Sequence, residues 1–310
     1  MIKGPKLIFI DGIVGCGKSR LAQRLWLHLR KSGLDAEWFA EPQSGHPLHD
    51  LGDLSKFDAT AASALAVEAW RNFVDERRAS ERITVLDATL LQASVRFFEF
   101  FAIPPQDWQP ALTRLLQVAE PLAPALIYLH PKDPDRFMDW VAEIRGAEWR
   151  GEMEALFARF GGSAGMRAYY AERLKQDLAL IENLDLPTIK LVSDRDGWDE
   201  RYAAACAFLD IDTAEPDDAY PGDIALLADQ YREPVSGVSW GLEFSGGRLG
   251  FAQGDRPHLM HVEGTRFVVE GRPLDAVFTL DPHGRAQCLR FSGALAGDPL
   301  LGTEWHRVAG

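Results

Sequence analysis

The sequence predicts an α/β domain, a parallel β-sheet with helices on both faces, followed by a small all-β domain. Three observations predict it. Short apolar runs alternate with longer helical patterns over residues 1–210, as in a sheet built from helical crossovers. A glycine-rich octad, Gly12-Ile13-Val14-Gly15-Cys16-Gly17-Lys18-Ser19, separates the first apolar run from the first helical pattern. After Leu209 the helical period stops, and short β-type runs bounded by turn residues replace it.

The apolar runs of the first part are 7–11, 36–41, 83–87, 125–130 and 188–192. They read as strands, and the crossovers between them should be right-handed. Helical patterns lie at 18–32, 61–79, 89–102, 106–118, 133–145, 164–183 and 197–210. The first is amphipathic, with Leu21, Leu25, Trp26 and Leu29 on one stripe. Residues 211–223 are acidic, contain proline and lack an apolar period, the signature of a linker. The expected boundaries are therefore a domain at 1–210, a linker at 211–223 and an all-β domain at 224–310.

In that last domain, 240–244 and 248–251 flank Gly246-Gly247, a hairpin with a primed turn. Residues 265–270 alternate, and 276–280 and 286–291 flank a second turn, Asp281-Pro282-His283-Gly284. The spacing predicts an antiparallel β-sandwich or small barrel.

Composition bounds the function. The 310 residues are 46% hydrophobic and 25% charged, with a formal net charge of −13. That excludes a disordered or collagen-like chain. An acidic chain cannot displace counterions from a nucleic-acid backbone in general, although a local pocket for one phosphorylated ligand is compatible. The three cysteines, Cys16, Cys206 and Cys288, are far apart; no zinc site is expected from their spacing. With no apolar run long enough for a membrane span or a signal-peptide core, a cytoplasmic protein is expected.

The octad fits GxxxxGK[ST] in the strand–loop–helix context that this motif requires. Gly12, Gly15, Cys16 and Gly17 turn backbone N–H groups inward toward phosphate oxygens, and the helix N-terminus, with Arg20 just inside it, adds partial positive charge. Lys18 is expected on the β- and γ-phosphates, and the Ser19 hydroxyl on Mg²⁺. Oxidation or alkylation of Cys16 would block the site if the helix N-terminus activates its thiol.

Ligands of open parallel sheets bind beyond the carboxyl ends of the strands. Asp11, Glu41 and Asp87 fall there, each after a different strand. Phosphoryl transfer uses such carboxylates to hold the metal and to orient or deprotonate the acceptor. Asp11, Glu41 and Asp87 are the candidates for these two roles.

On these residues the sequence resembles the nucleoside and nucleotide kinases, specifically the thymidylate-kinase and deoxynucleoside-kinase group, over about residues 5–210. The resemblance rests on Asp11-Gly12 before the phosphate loop and on Glu41-Pro42 after the second strand. It implies a sheet order of 2-3-1-4-5, ATP and Mg²⁺ as cofactors, and Glu41 acting on an acceptor hydroxyl. The group's third strand ends in Asp-Arg or Glu-Arg, where this chain has Asp87-Ala88. The group's arginine-rich lid corresponds to Arg145-Gly146-Ala147-Glu148-Trp149-Arg150, with Arg145 and Arg150 over the transferring phosphoryl group and Gly146 as hinge. The words Gly45-His46-Pro47, Leu86-Asp87-Ala88-Thr89-Leu90-Leu91-Gln92, Leu126-Ile127-Tyr128-Leu129 and Arg145 to Trp149 also look like a bacterial family known only as P-loop or thymidylate-kinase-like proteins. The C-terminal part resembles a small lipocalin-like β-domain, through 241–249 and 278–291, which implies a binding or dimerising role and a homodimer as one option.

The acceptor side is expected between the second-strand loop and the helices at 61–79 and 89–102. Candidates are Gln43, His46, Glu68, Trp70, Arg71, Gln92 and Arg96, with Trp149 covering a substrate ring. For Trp70 a place in the core is the competing reading. Two functions fit: transfer of the γ-phosphoryl of ATP to a hydroxyl or phosphate of a small acceptor, or a nucleotide-dependent hydrolase or switch whose β-domain binds a partner. The paired arginines favour transfer to an enclosed acceptor over water, and the intact Lys18-Ser19 argues against a third reading, a degenerate kinase fold that only binds.

Overall fold

The computed structural model describes residues 4–41, 43–194, 196–213, 220–252, 257–294 and 297–308. Pro42, Arg195, Asp255 and linker residues 214–219 lie outside the described residues. The chain divides into two compact units. The first comprises Met1–Leu25, Asp35–Glu41 and Pro47–Thr213; the second comprises Trp26–Leu34, Pro42–His46 and Ala214–Gly310.

In the first unit, β1 (Leu7–Gly12), β2 (Ala36–Phe39), β3 (Ile83–Asp87), β4 (Ala125–His130) and β5 (Thr188–Val192) form a parallel sheet in the order β2-β3-β1-β4-β5. This is the order that the kinase resemblance implied. The helices are α1 (Lys18–Lys31), α2 (Ala59–Arg78), α3 (Ser94–Phe100), α4 (Trp108–Ala119), α5 (Pro134–Leu156), α6 (Ser163–Glu182) and α7 (Trp198–Phe208). Every residue of β1 and β3 is buried, which is why these strands read as unbroken apolar runs ending in a carboxylate. Register places Ile10 beside Asp87 and Gly12 beside Leu129. The carboxyl ends of β1, β3 and β4 therefore share one edge.

Two helices depart from the expected patterns. The run at 89–102 begins as a π-helical turn, Thr89–Ala93, before α3. The helix expected to end at 145 does break there, at Gly146, but a second helical segment that was not expected carries on across the kink to Leu156.

The second unit holds a closed barrel. Its strands are β6 (Gln230–Arg232), β7 (Ser239–Ser245), β8 (Arg248–Phe251), β9 (His258–Glu263), β10 (Arg266–Val269), β11 (Leu274–Leu280), β12 (Ala286–Gly293) and β13 (Glu304–Arg307). Each pairs antiparallel with its sequence neighbours, and β13 closes on β6. Closure removes the exposed sheet edges that a sandwich would leave. Both hairpin turns are present: Gly246 and Gly247 have φ of 58° and 79°, as a primed turn requires, and the Asp281 carboxylate accepts from the His283 and Arg285 N–H groups. Trp240, Phe251, Phe267, Phe278, Phe291 and Trp305 are buried together in the barrel core. Tyr220, from the stretch read as linker, packs against Phe267 with ring centroids 5.6 Å apart. Among the described residues no helix is long and apolar enough to cross a membrane.

Candidate functional site: a phosphate loop facing a buried carboxylate

The phosphate loop joins β1 to α1. Gly12 has φ 146°, and a Cβ there would lie 2.1 Å from the Leu129 carbonyl oxygen. Only glycine lets β1 run this close to β4 before the turn. Lys18 is buried and its ammonium donates to the Ile13 carbonyl at 3.0 Å, so it lies across its own loop. On the far side the Ser193 hydroxyl, just after β5, donates to the Cys16 carbonyl at 2.7 Å. Burial pushes the Cys16 thiol up to about 12. The activated thiol expected from the helix N-terminus is therefore not present, because desolvation outweighs the helix field.

Asp87 is the most informative side chain. It ends β3, is 1% exposed, and neither carboxylate oxygen has a hydrogen-bond partner among the described residues. Burial pushes its pKa up to about 7, although the nearby Lys18 ammonium and Ser19 hydroxyl pull it down. Buried carboxylates are normally satisfied. The Asp87 carboxylate together with the Ser19 hydroxyl, which pulls its pKa down as a nearby hydrogen-bond donor, is a fitting pair of oxygen ligands for a hard divalent cation.

Asp11 has a different task. It is fully buried, and it accepts from the backbone N–H of Leu91 at 2.8 Å and of Gln92 at 3.0 Å. Burial raises its pKa to about 6. Both oxygens are thus taken by the π-helical turn, so the structure places Asp11 as an anchor rather than as the open metal ligand expected. That turn begins at Ala88, a left-handed residue with φ 57°, and a non-glycine residue in that region costs about 1–2 kcal/mol. Strain of this kind collects where a side chain must be aimed; here it follows directly on Asp87.

Glu41 lies just beyond β2. Its carboxylate accepts from the Gln92 side-chain amide at 2.6 Å and from Arg96 at 2.5 Å. Gln92 therefore links two carboxylates, Asp11 through its backbone and Glu41 through its side chain. The His49 ring nitrogen sits 3.1 Å from the Ala88 carbonyl, and burial lowers the pKa of this histidine.

Two acceptor-side expectations, Trp70 and His46, are corrected, and the other candidates are placed with them. Trp70 is a core residue: it is buried, stacks between Phe9 (5.9 Å) and Phe73 (5.6 Å), and donates to the Leu115 carbonyl. His46 is buried and belongs to the second unit. Glu68 and Arg71 are exposed on α2. Arg145 and Arg150 are exposed on either side of the Gly146 break, and Arg150 donates to the Ala142 carbonyl at 3.4 Å. Trp149, beside them, is half-buried. Arg20 is exposed, its guanidinium 5.2 Å from the Trp198 ring.

The sequence reading missed a buried polar chain behind the site. Arg173 on α6 donates to the Leu91 carbonyl at 2.8 Å and to Asp177 at 2.7 Å, and Asp177 accepts from the Tyr128 hydroxyl at 2.9 Å. Its one sequence signal is an Arg/Asp pair at i,i+4, which looks the same on a solvated helix face. Trp198 was also missed; a Cβ on Gly17 would lie 3.2 Å from its ring, so this indole walls the phosphate loop.

No family model matches the chain, and no curated protein sequence matches it. Among solved structures, the YorR protein of Bacillus subtilis, determined in complex with phosphorylated GDP, is similar at 14% identity and a TM-score of 0.42, over 66% of this chain and 95% of that one. Deoxyadenosine kinase from M. mycoides with bound dATP is similar at 18% identity and a TM-score of 0.36, over 66% of this chain and 98% of that one.

Proposed function

We propose that the first unit is a phosphotransferase that moves the γ-phosphoryl group of ATP to a hydroxyl or phosphate oxygen of a small acceptor. The observation that carries this reading is the Asp87 carboxylate, buried and without a close hydrogen-bond partner, whose pKa the Lys18 ammonium and the Ser19 hydroxyl beside it pull down. Ser19 and Asp87 would hold Mg²⁺, which when bound neutralises charge on the phosphate oxygens. Lys18, freed from the Ile13 carbonyl, would balance the β- and γ-phosphates. Glu41, aimed by Gln92 and Arg96, would take the acceptor proton. The acceptor oxygen attacks phosphorus, the bond to the bridging oxygen breaks, and ADP leaves. Arg145 and Arg150 would spread charge over the transferring group once the segment after Gly146 closes.

The test is calorimetry with magnesium-ATP, followed by ADP release over a panel of nucleosides, nucleotides, sugars and other alcohols. Binding and acceptor-dependent release, both lost in Lys18→Ala, support the reading. Absence of binding overturns it. Turnover indifferent to any acceptor would replace it with a hydrolase or switch.

A further inference from the structure

The barrel brings Cys288 to two side chains of a strand that lies well beyond it in sequence, Glu304 and His306. Cys288 on β12 stands directly opposite His306 on β13, and Arg290 opposite Glu304. Residues two apart on a strand share a face, so all four project on one side of this ladder. The intervening Leu289 and Trp305 point into the core and are buried. The thiol sulfur, an imidazole nitrogen and a carboxylate oxygen of Cys288, His306 and Glu304 all lie within 4.8 Å of one another. His306 Nε2 is 3.2 Å from Glu304 Oε1.

We infer that Cys288, Glu304 and His306 form a binding site for a zinc-class divalent cation on the outer wall of the barrel. Thiolate, imidazole and carboxylate together are a donor set of borderline softness, suited to zinc rather than to magnesium or calcium. Donor atoms around a tetrahedral zinc sit roughly 3.3–3.8 Å apart, given metal–ligand bonds of about 2.0–2.3 Å. The observed spacing needs only a small contraction. Half-exposed Glu304 and His306 side chains can supply it without moving the ladder.

Arg290 strengthens the assignment. Its guanidinium donates to Glu304 Oε2 at 2.6 and 3.1 Å, which fixes the carboxylate and leaves Oε1 turned toward His306. Metal-binding carboxylates are commonly held by such an outer partner. Thiolate and carboxylate together bring two negative charges to a doubly charged ion, so the guanidinium does not leave the site overcharged. With three protein donors, a fourth position stays open for water or an added ligand. The cysteine spacing excluded a zinc site only within the linear sequence; strand pairing assembles one across it.

The site is independent of the proposed phosphoryl transfer, and its test is separate. Full-length, chelator-treated protein is titrated with Co²⁺ alone, then with Zn²⁺. A thiolate-to-cobalt charge-transfer band saturating at one equivalent, and removed by Zn²⁺, is expected. Cys288→Ser should abolish the band, and His306→Ala should weaken Co²⁺ binding by about tenfold or more. Cys206→Ser, a buried thiol elsewhere, should leave it intact. Circular dichroism confirms that each variant keeps its barrel. No band in the wild type, or an unchanged band in Cys288→Ser, overturns the site.

Discussion

The backbone N–H of Gln92 donates to Asp11 at 3.0 Å while the Gln92 side chain donates to Glu41 at 2.6 Å. One residue of a π-helical turn thus couples the end of β1 to the candidate base. Asn at position 11 would offer one acceptor and one donor where two N–H groups need acceptors. Asp11→Asn is expected to destabilise by about 1–3 kcal/mol and to lower turnover by loosening Glu41. Thermal melts and steady-state rates check both effects. Normal turnover in a destabilised variant would confine Asp11 to folding.

Asp87 should trade stability against function. Its pKa rises from 3.8 unfolded to about 7 folded. Between those values the unfolded chain has lost the proton and the native state keeps it, so stability falls as pH rises, then levels above about 7. Asp11 adds the same sign up to about 6. Asp87→Asn should remove the fall between about 6 and 7 and raise stability at pH 8 by on the order of 2–4 kcal/mol. The same variant should lose magnesium-dependent turnover. Melting curves from pH 4 to 8 decide it; a variant less stable than wild type at pH 8 would show that Asp87 has donors after all.

Glu41 separates proton transfer from positioning. Glu41→Gln should lower the rate by ~10²–10⁴ if the carboxylate takes the acceptor proton. Gln92→Ala leaves the carboxylate in place but removes one of its two donors, so its loss should be smaller and should fall mainly on kcat. If Glu41→Gln costs less than about threefold, the general-base role fails.

The phosphate loop and the parallel sheet were legible because their signals are local: glycines where the chain turns, and unbroken apolar runs where a strand is covered on both faces. Asp87 and Glu41 were found the same way, as carboxylates at strand ends. What the sequence hid depends on tertiary direction. Trp70 and Gln92 both read as acceptor candidates, yet one faces β1 in the core and the other faces Glu41. Arg173 and Asp177 share the spacing of an ordinary surface pair, and only packing of α6 buries them. Cys288 and His306 become neighbours through the register of two strands, which depends on where the intervening loop ends.

The buried pair behind the site gives a stability prediction. Arg173 and Asp177 are both almost fully buried and bond at 2.7 Å. Arg173→Met should cost about 3–5 kcal/mol because it leaves the Asp177 charge unpaired. Adding Asp177→Asn removes that charge while keeping an acceptor for Tyr128, so the double variant should recover part of the loss. Urea unfolding of the four forms measures the coupling; strictly additive losses would mean that the pair does not act as one unit.

Gly146 is the residue on which closure should depend. It sits inside α5 at φ 83° and ψ −175°, a conformation outside any helix. Nothing lies within 4 Å of where its Cβ would be, so alanine fits in space and acts on the backbone alone. Alanine disfavours this conformation and favours the helix by about 1 kcal/mol. In an unbroken helix, residues five apart point roughly 140° away from each other. Arg145 and Arg150 would then diverge and could not reach one phosphoryl group together. Gly146→Ala should therefore lower thermal stability modestly, because alanine is strained at this φ, and leave the Kd for magnesium-ATP within about threefold, yet lower kcat by about tenfold or more, as loss of lid closure would. Equal kcat in the variant and the wild type would remove both arginines from the transfer step.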